Sequence, residues 1–275
     1  MIYIDAHVHL HDCFHLNVFF DHVERNIQRV SQSRHDPNQV SCCLFLTEAS
    51  NANYFENIRH KGDPSVGNTT SANDGWRVQR TSEPISLLIS NEAGFRIYLI
   101  AGQQLQTAEG LEVLALAPNH RIVEGKPLKQ LISEVVKADG LAVVPWGFGK
   151  WLGRRGKVLK AIIQQIEPRG FFLGDNSGRP RFLLEPSMFR LAKQKSIRVL
   201  PGSDPLPFAS EVRRAGSFGL TLQDEISGER PAEQLKQKLV APETEFDTFG
   251  QLETVDRFIK HQLLMQLVKR QSKRF

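Results

Sequence analysis

The chain has 275 residues, a length that suits two ordinary domains or one β/α barrel. Hydrophobic residues make up 40% and charged residues 24%, which excludes disordered, collagenous and coiled-coil classes. The formal net charge is +5, but Lys269, Arg270, Lys273 and Arg274 crowd the last seven residues, leaving no basic stripe in the body of the sequence and disfavouring nucleic acid as partner.

In chain order, short apolar runs read as strands at Ile2 to Val8, Val40 to Thr47, Ile85 to Ser90, Arg96 to Gln103, Leu111 to Leu116, Gly140 to Trp146, Gly170 to Gly174 and Arg198 to Gly202. Helical spacing appears between them. It runs through Phe20, Val23, Ile27 and Val30, through Leu128, Leu131, Ile132, Val135 and Val136 behind Pro127, and through Val158, Leu159, Ile162, Ile163 and Ile166. Further helices are expected to open at Pro186 and to close the chain through Val255, Phe258, Ile259 and Leu263. The stretch at about 61–84, rich in Gly, Ser, Asn, Thr and Pro, has no apolar period and reads as a long loop. Alternating strands and helices predict an α/β fold, at this length a single barrel or distorted barrel over 1–275 with a basic tail at about 269–275; Arg96 to Leu116 breaks the alternation as a local strand pair. Cys13, Cys42 and Cys43 form no disulfide framework, and no stretch is long and apolar enough for a membrane span. With no signal-peptide pattern at the start, the expectation is a cytoplasmic protein, mature from residue one.

The chemistry is carried by strand ends. In Asp5-Ala6-His7-Val8-His9, positions i and i+2 share one face of a strand, so both imidazoles can meet one divalent metal at its carboxyl end, with Asp5 behind them. Trp146-Gly147-Phe148-Gly149-Lys150, followed by Arg154 and Arg155, joins glycines and cations at a helix start, a pattern suited to an anionic group. Gly174-Asp175-Asn176-Ser177-Gly178-Arg179 places Asn176 and Arg179 at another strand end, where it is equally good turn chemistry.

The D-x-H-x-H start resembles two superfamilies of metal-dependent barrel hydrolases, the amidohydrolases and the polymerase and histidinol phosphatase (PHP) proteins. Thr107 to Leu116 is similar to the PHP segment that supplies a bridging carboxylate, which implies that role for Glu112. Leu200-Pro201-Gly202-Ser203-Asp204 is similar to the late PHP strand ending in Gly-Ser-Asp, which implies a ligand at Asp204. Three family histidines are replaced, by Ala49 beside Glu48, by Trp146, and by Leu206. The resemblance therefore implies a distorted, TIM-like β/α barrel of the PHP type with a reduced site. His7, His9, Glu112 and Asp204 would hold one or two Zn or Mn ions, Asp204 and Glu48 would serve catalysis, and Lys150, Arg154, Arg155, Asn176 and Arg179 would bind substrate. The expected activity is metal-dependent hydrolysis of a small anionic substrate, with phosphate esters favoured. The alternatives are an amidohydrolase-like enzyme acting on a cyclic amide or ester, and a silent barrel that binds a ligand or partner.

Overall fold

The computed structural model describes residues 1–34, 40–61 and 75–272. Eleven strands form one sheet: β1 (Ile2–Val8), β2 (Ser41–Glu48), β3 (Trp76–Arg80), β4 (Ser86–Asn91), β5 (Arg96–Gln106), β6 (Glu112–Leu116), β7 (Leu141–Pro145), β8 (Phe171–Asn176), β9 (Val199–Gly202), β10 (Phe218–Leu222) and β11 (Asp247–Gly250). Nine of them run in the order β11-β10-β1-β2-β5-β6-β7-β8-β9, while β3 and β4 hang from β5. The sheet curls until β9 returns to β1, where the Asp204 amide donates to the His7 carbonyl at 2.8 Å. The result is a distorted, nearly closed barrel. Parallel pairs β1–β2, β2–β5, β7–β8 and β8–β9 are interrupted by antiparallel β5–β6 and β6–β7, so the break in alternation anticipated at Arg96 to Leu116 is present.

Helices α1 (Leu16–Ser33), α2 (Tyr54–Lys61), α3 (Leu128–Lys137), α4 (Gly153–Gln165), α5 (Ser187–Gln194), α6 (Pro231–Val240) and α7 (Val255–Ser272) flank this sheet. Strands β1, β2, β7, β8 and β10 are buried on both faces, which explains their largely apolar runs. Ile2, Ile4, Cys43, Phe45 and Ile100 pack together on one face, and α6 adds Leu235 and Leu239 to them. On the other face, Tyr3, Cys42, Leu44 and Leu46 meet Phe19, Phe20, Val23 and Ile27 of α1. Each such side chain contributes about 1.5–3 kcal/mol by leaving water.

The sequence hid two classes of element. The stretch expected as one loop contains β3, where Trp76 is buried against Phe20 and its indole donates to Asp21 at 2.8 Å. Its period was masked by Arg77, Gln79 and Arg80 between the apolar positions; residues 62–74 lie outside the described ones. Helix α6 was missed because its buried face mixes Leu235 and Leu239 with Ala232 and Lys236 and so has little apolar period; its N-terminus is capped from a distance, where Glu83 accepts the Ala232 amide at 2.5 Å and the Glu233 amide at 3.3 Å. Glu109 serves the Leu128 amide of α3 in the same way, at 3.0 Å. Helix α7 reaches Ser272 and so enters the segment expected to be a tail. Among the described residues no helix is long and apolar enough to cross a membrane.

Candidate metal centre

Strand β1 ends in a register shift between Asp5 and Val8, and His7 and His9 follow one another there on the same side. Their Nε2 atoms lie 2.9 Å apart, and Asp204 Oδ1 is 3.5 Å from the first and 3.4 Å from the second. The edges of a tetrahedral shell with bonds near 2.05 Å are about 3.3 Å, so this triangle has the size that a zinc-like ion requires. Among the described residues, these three side chains form the group whose donor atoms could share an ion. Burial lowers the His7 imidazole to about 4 against the opposing pull of Asp204, which leaves it neutral near pH 7 with a lone pair to offer. Burial alone would raise the Asp204 carboxyl, but His7, His9 and Lys150 outweigh it and hold the group below the usual carboxylate range. Two imidazole nitrogens and one carboxylate are a fitting set for Zn²⁺ or Mn²⁺.

The backbone around these donors is tightly determined. Asp204 has φ of 49°, in the left-handed region that Asp and Asn tolerate better than other side chains. It is held there by its amide bond to His7 and by Asn176, whose Nδ2 donates to Asp204 Oδ2 at 3.0 Å and to the Trp146 carbonyl at 2.9 Å. Asp5 does not touch a ring. Its carboxylate accepts the amides of Ser203 (2.8 Å), Gly216 (2.9 Å) and His7 (3.3 Å), and so ties the β9 end to β1. Burial outweighs those bonds and raises the Asp5 carboxyl to about 7. Gly202 allows the approach: a Cβ there would lie 2.4 Å from both the Cβ and the backbone nitrogen of His7. Gly202→Ala is therefore expected to push β9 off β1, costing about 1–3 kcal/mol and displacing a metal donor. Urea melts and metal titration of the variant check both effects.

The remaining candidate residues divide. The Lys150 ammonium pairs with the Glu112 carboxylate, and the charges of Lys150 and Glu112 reach Asp204 and His7 respectively. Glu112 stays outside the three-donor group and also accepts from Gln106 at 2.9 Å. Glu48 is buried with its carboxylate on the Phe55 amide of α2 at 2.8 Å, capping that helix; burial raises its pKa. Arg179 forms a two-pronged pair with Asp175 (2.8 and 2.7 Å), so its fork is already filled. Arg155 donates to the carbonyls of Gly110 and Gly149, stitching loops together, and Arg154 is exposed. One neighbour went unnoticed in the sequence, Gln104 of β5, whose Oε1 is 3.4 Å from His7 Nε2. Only its alternation with Gly102 and Gln106 marked it, and that pattern is common in strands.

No family model matches the sequence, and no curated protein matches it. The fold is similar to that of PsfC from Pseudomonas syringae PB-5123, with a TM-score of 0.52 and 15% identity over 98% of this chain and 97% of the other. It is also similar to the lesion-specific endonuclease PfuEndoQ from Pyrococcus furiosus, with a TM-score of 0.51 and 11% identity over 90% of this chain. This chain spans 57% of the endonuclease. At these identities the likeness is one of fold.

Proposed function

We propose that this protein is a metal-dependent hydrolase of phosphoesters, using one divalent ion held by His7, His9 and Asp204. The observation that carries this reading is the convergence of the two Nε2 atoms and Asp204 Oδ1 at the carboxyl end of β1, where barrel enzymes place their chemistry. A bound ion supplies Lewis-acid polarisation of a phosphoryl oxygen and a lowered pKa for water. Asn176 fixes the Asp204 carboxylate by bonding the oxygen turned away from the histidines. Lys150, a third exposed and electrostatically coupled to Asp204, is the cation that meets a phosphate oxygen, and Glu112 holds it until substrate arrives. Asp204 is the nearest proton acceptor to an attacking water. Glu112 is the reserve ligand should a second ion bind. The similarity in fold to an endonuclease, an enzyme of phosphodiesters, agrees with this bond type.

The test is turnover of bis(p-nitrophenyl) phosphate and p-nitrophenyl phosphate by protein stripped with chelator and reloaded with Mn²⁺ or Zn²⁺. Metal-dependent release of nitrophenolate is expected, and no release with either ion overturns the reading. Asn176→Ala is expected to lower the reloaded rate by about 10-fold or more, since groups that orient a ligand typically matter by that much.

A further inference from the structure

Away from the metal centre, α1 overhangs a cleft of about 1050 Å³ against β11 and the segment that follows it. Two sets of bonds attach the helix at its middle and its C-terminal end: Asn26 donates to the carbonyls of Arg213 and Ala215 at 2.9 Å, and Arg34 donates to Thr221 Oγ1 at 3.0 Å and the Thr248 carbonyl at 3.2 Å. Seven arginines line the cleft beside a single carboxylate, Glu253. The floor is neutralised: Arg214 is buried between Glu211 (2.9 Å) and Glu253 (2.5 Å), and Arg257 reaches the same pair at 3.5 Å. The rim is not. Arg29 and Arg213 are exposed without an acidic partner among the described residues, and Arg25 has only a loose 3.8 Å contact with Asp21. Burial, Arg25 and Arg213 together lower the pKa of His22, which lies between them.

We propose that this flank is a binding cleft for the phosphate backbone of nucleic acid, separate from the metal centre. Unpaired guanidinium groups gathered on one rim repel each other and favour an anionic occupant. The lining has only Val30, Phe249 and Leu252 as apolar residues, whereas pockets for small molecules are mostly apolar. Along α1 the lining runs from His22 to Ser33, twelve residues spanning about 16 Å, which matches roughly five phosphates of one B-form strand. None of His7, His9 or Asp204 lines it, so binding there needs no metal and does not rest on the hydrolase reading.

The experiment is fluorescence anisotropy of a labelled 20-base-pair DNA duplex with the full chain in excess chelator, at several salt concentrations. Binding should weaken with salt, log K falling by about 0.9 per decade for each phosphate contacted. Arg29→Gln/Arg213→Gln is expected to weaken binding at least 10-fold and to flatten that slope by about 2, while His7→Ala/His9→Ala leaves both unchanged. Both arginines are exposed, so melting should match wild type; Arg29→Gln alone, with half the loss in slope, provides a second reading. Absence of binding by wild type, equal binding by the double variant, or equal competition by polyglutamate or pyrophosphate of matched charge would overturn the proposal.

Discussion

Asp204→Asn is expected to lower metal-dependent phosphoester hydrolysis by roughly 10²–10⁴-fold, the range associated with loss of a positioned acid–base group. The substitution is sterically small, and Asn tolerates the left-handed backbone at this position as Asp does, so the local fold is retained. What disappears is the negative charge facing His7 and His9 from 3.5 and 3.4 Å. Asn176, which donates to this side chain, will also compete with a second amide. Metal affinity should fall in parallel. With metal at about 100 times Kd, a folded-state ligand stabilises by about 2.7 kcal/mol, a rise of roughly 5–11 °C in Tm for a chain of this size. Wild type should show that rise with Zn²⁺ or Mn²⁺, while Asp204→Asn and His7→Ala should show little of it. A variant that keeps both turnover and the metal-linked rise would remove Asp204 from the site.

The largest loss of stability is expected from Arg214→Ala. Arg214 is buried with Glu211 and Glu253, and its Nε donates to Ser177 Oγ at 2.7 Å, directly behind Asn176. Removing the guanidinium leaves two buried carboxylates with only the longer ion-pair contacts of Arg257 and His261, and breaking a buried pair typically costs about 3–5 kcal/mol, or roughly 10 °C in Tm. His261 of α7 approaches Glu211 at 3.3 Å, so the helix should loosen as well. The same cluster has a pH signature. Burial would raise the Glu211 carboxyl, but His261 and Arg214 outweigh it and hold it at about 2, against an ordinary value of 4.5. Its folded-state pKa is therefore depressed, so its stabilisation is present above pH 4.5 and is lost as pH falls toward 2. Thermal melts from pH 5 to 2 should show wild type losing that advantage steadily and Arg214→Ala, which lacks it, changing less. Equal stability of the two proteins at pH 7 would show that the pair contributes nothing.

Much of the fold was legible in the sequence because hydrophobic period reports burial directly. Strands buried on both faces are continuous apolar runs, and α3 has its spacing intact from Leu128 to Val135. Elements that depend on remote partners gave weaker signals. Strands β10 and β11 are four or five residues long and pair only with β1 and each other, and α6 relies on Glu83, about 150 positions away. The site followed the same division. His7 and His9 are two residues apart, so strand geometry alone implies their shared face. Arg179 and Glu48 looked available because nothing in a linear string shows that Asp175 and the Phe55 amide already occupy them.

By itself, then, the sequence determined the barrel-type alternation and the i, i+2 histidine pair, both consequences of local period. The resemblance implied a ligand at Asp204, but its approach to within 3.5 Å of His7, 197 positions earlier, is set by the tertiary structure, because chain closure between β9 and β1 is a long-range event made possible by Gly202 and held by Asp5. It also decided where the positive charge lies. The sequence shows a cluster of cations at the C-terminus and an otherwise even spread, yet packing α1 against the segment after β11 brings arginines from positions 25 to 257 around one cleft. Charge density is a property of distance in space, and a chain that folds over itself sets those distances through contacts its local pattern does not encode.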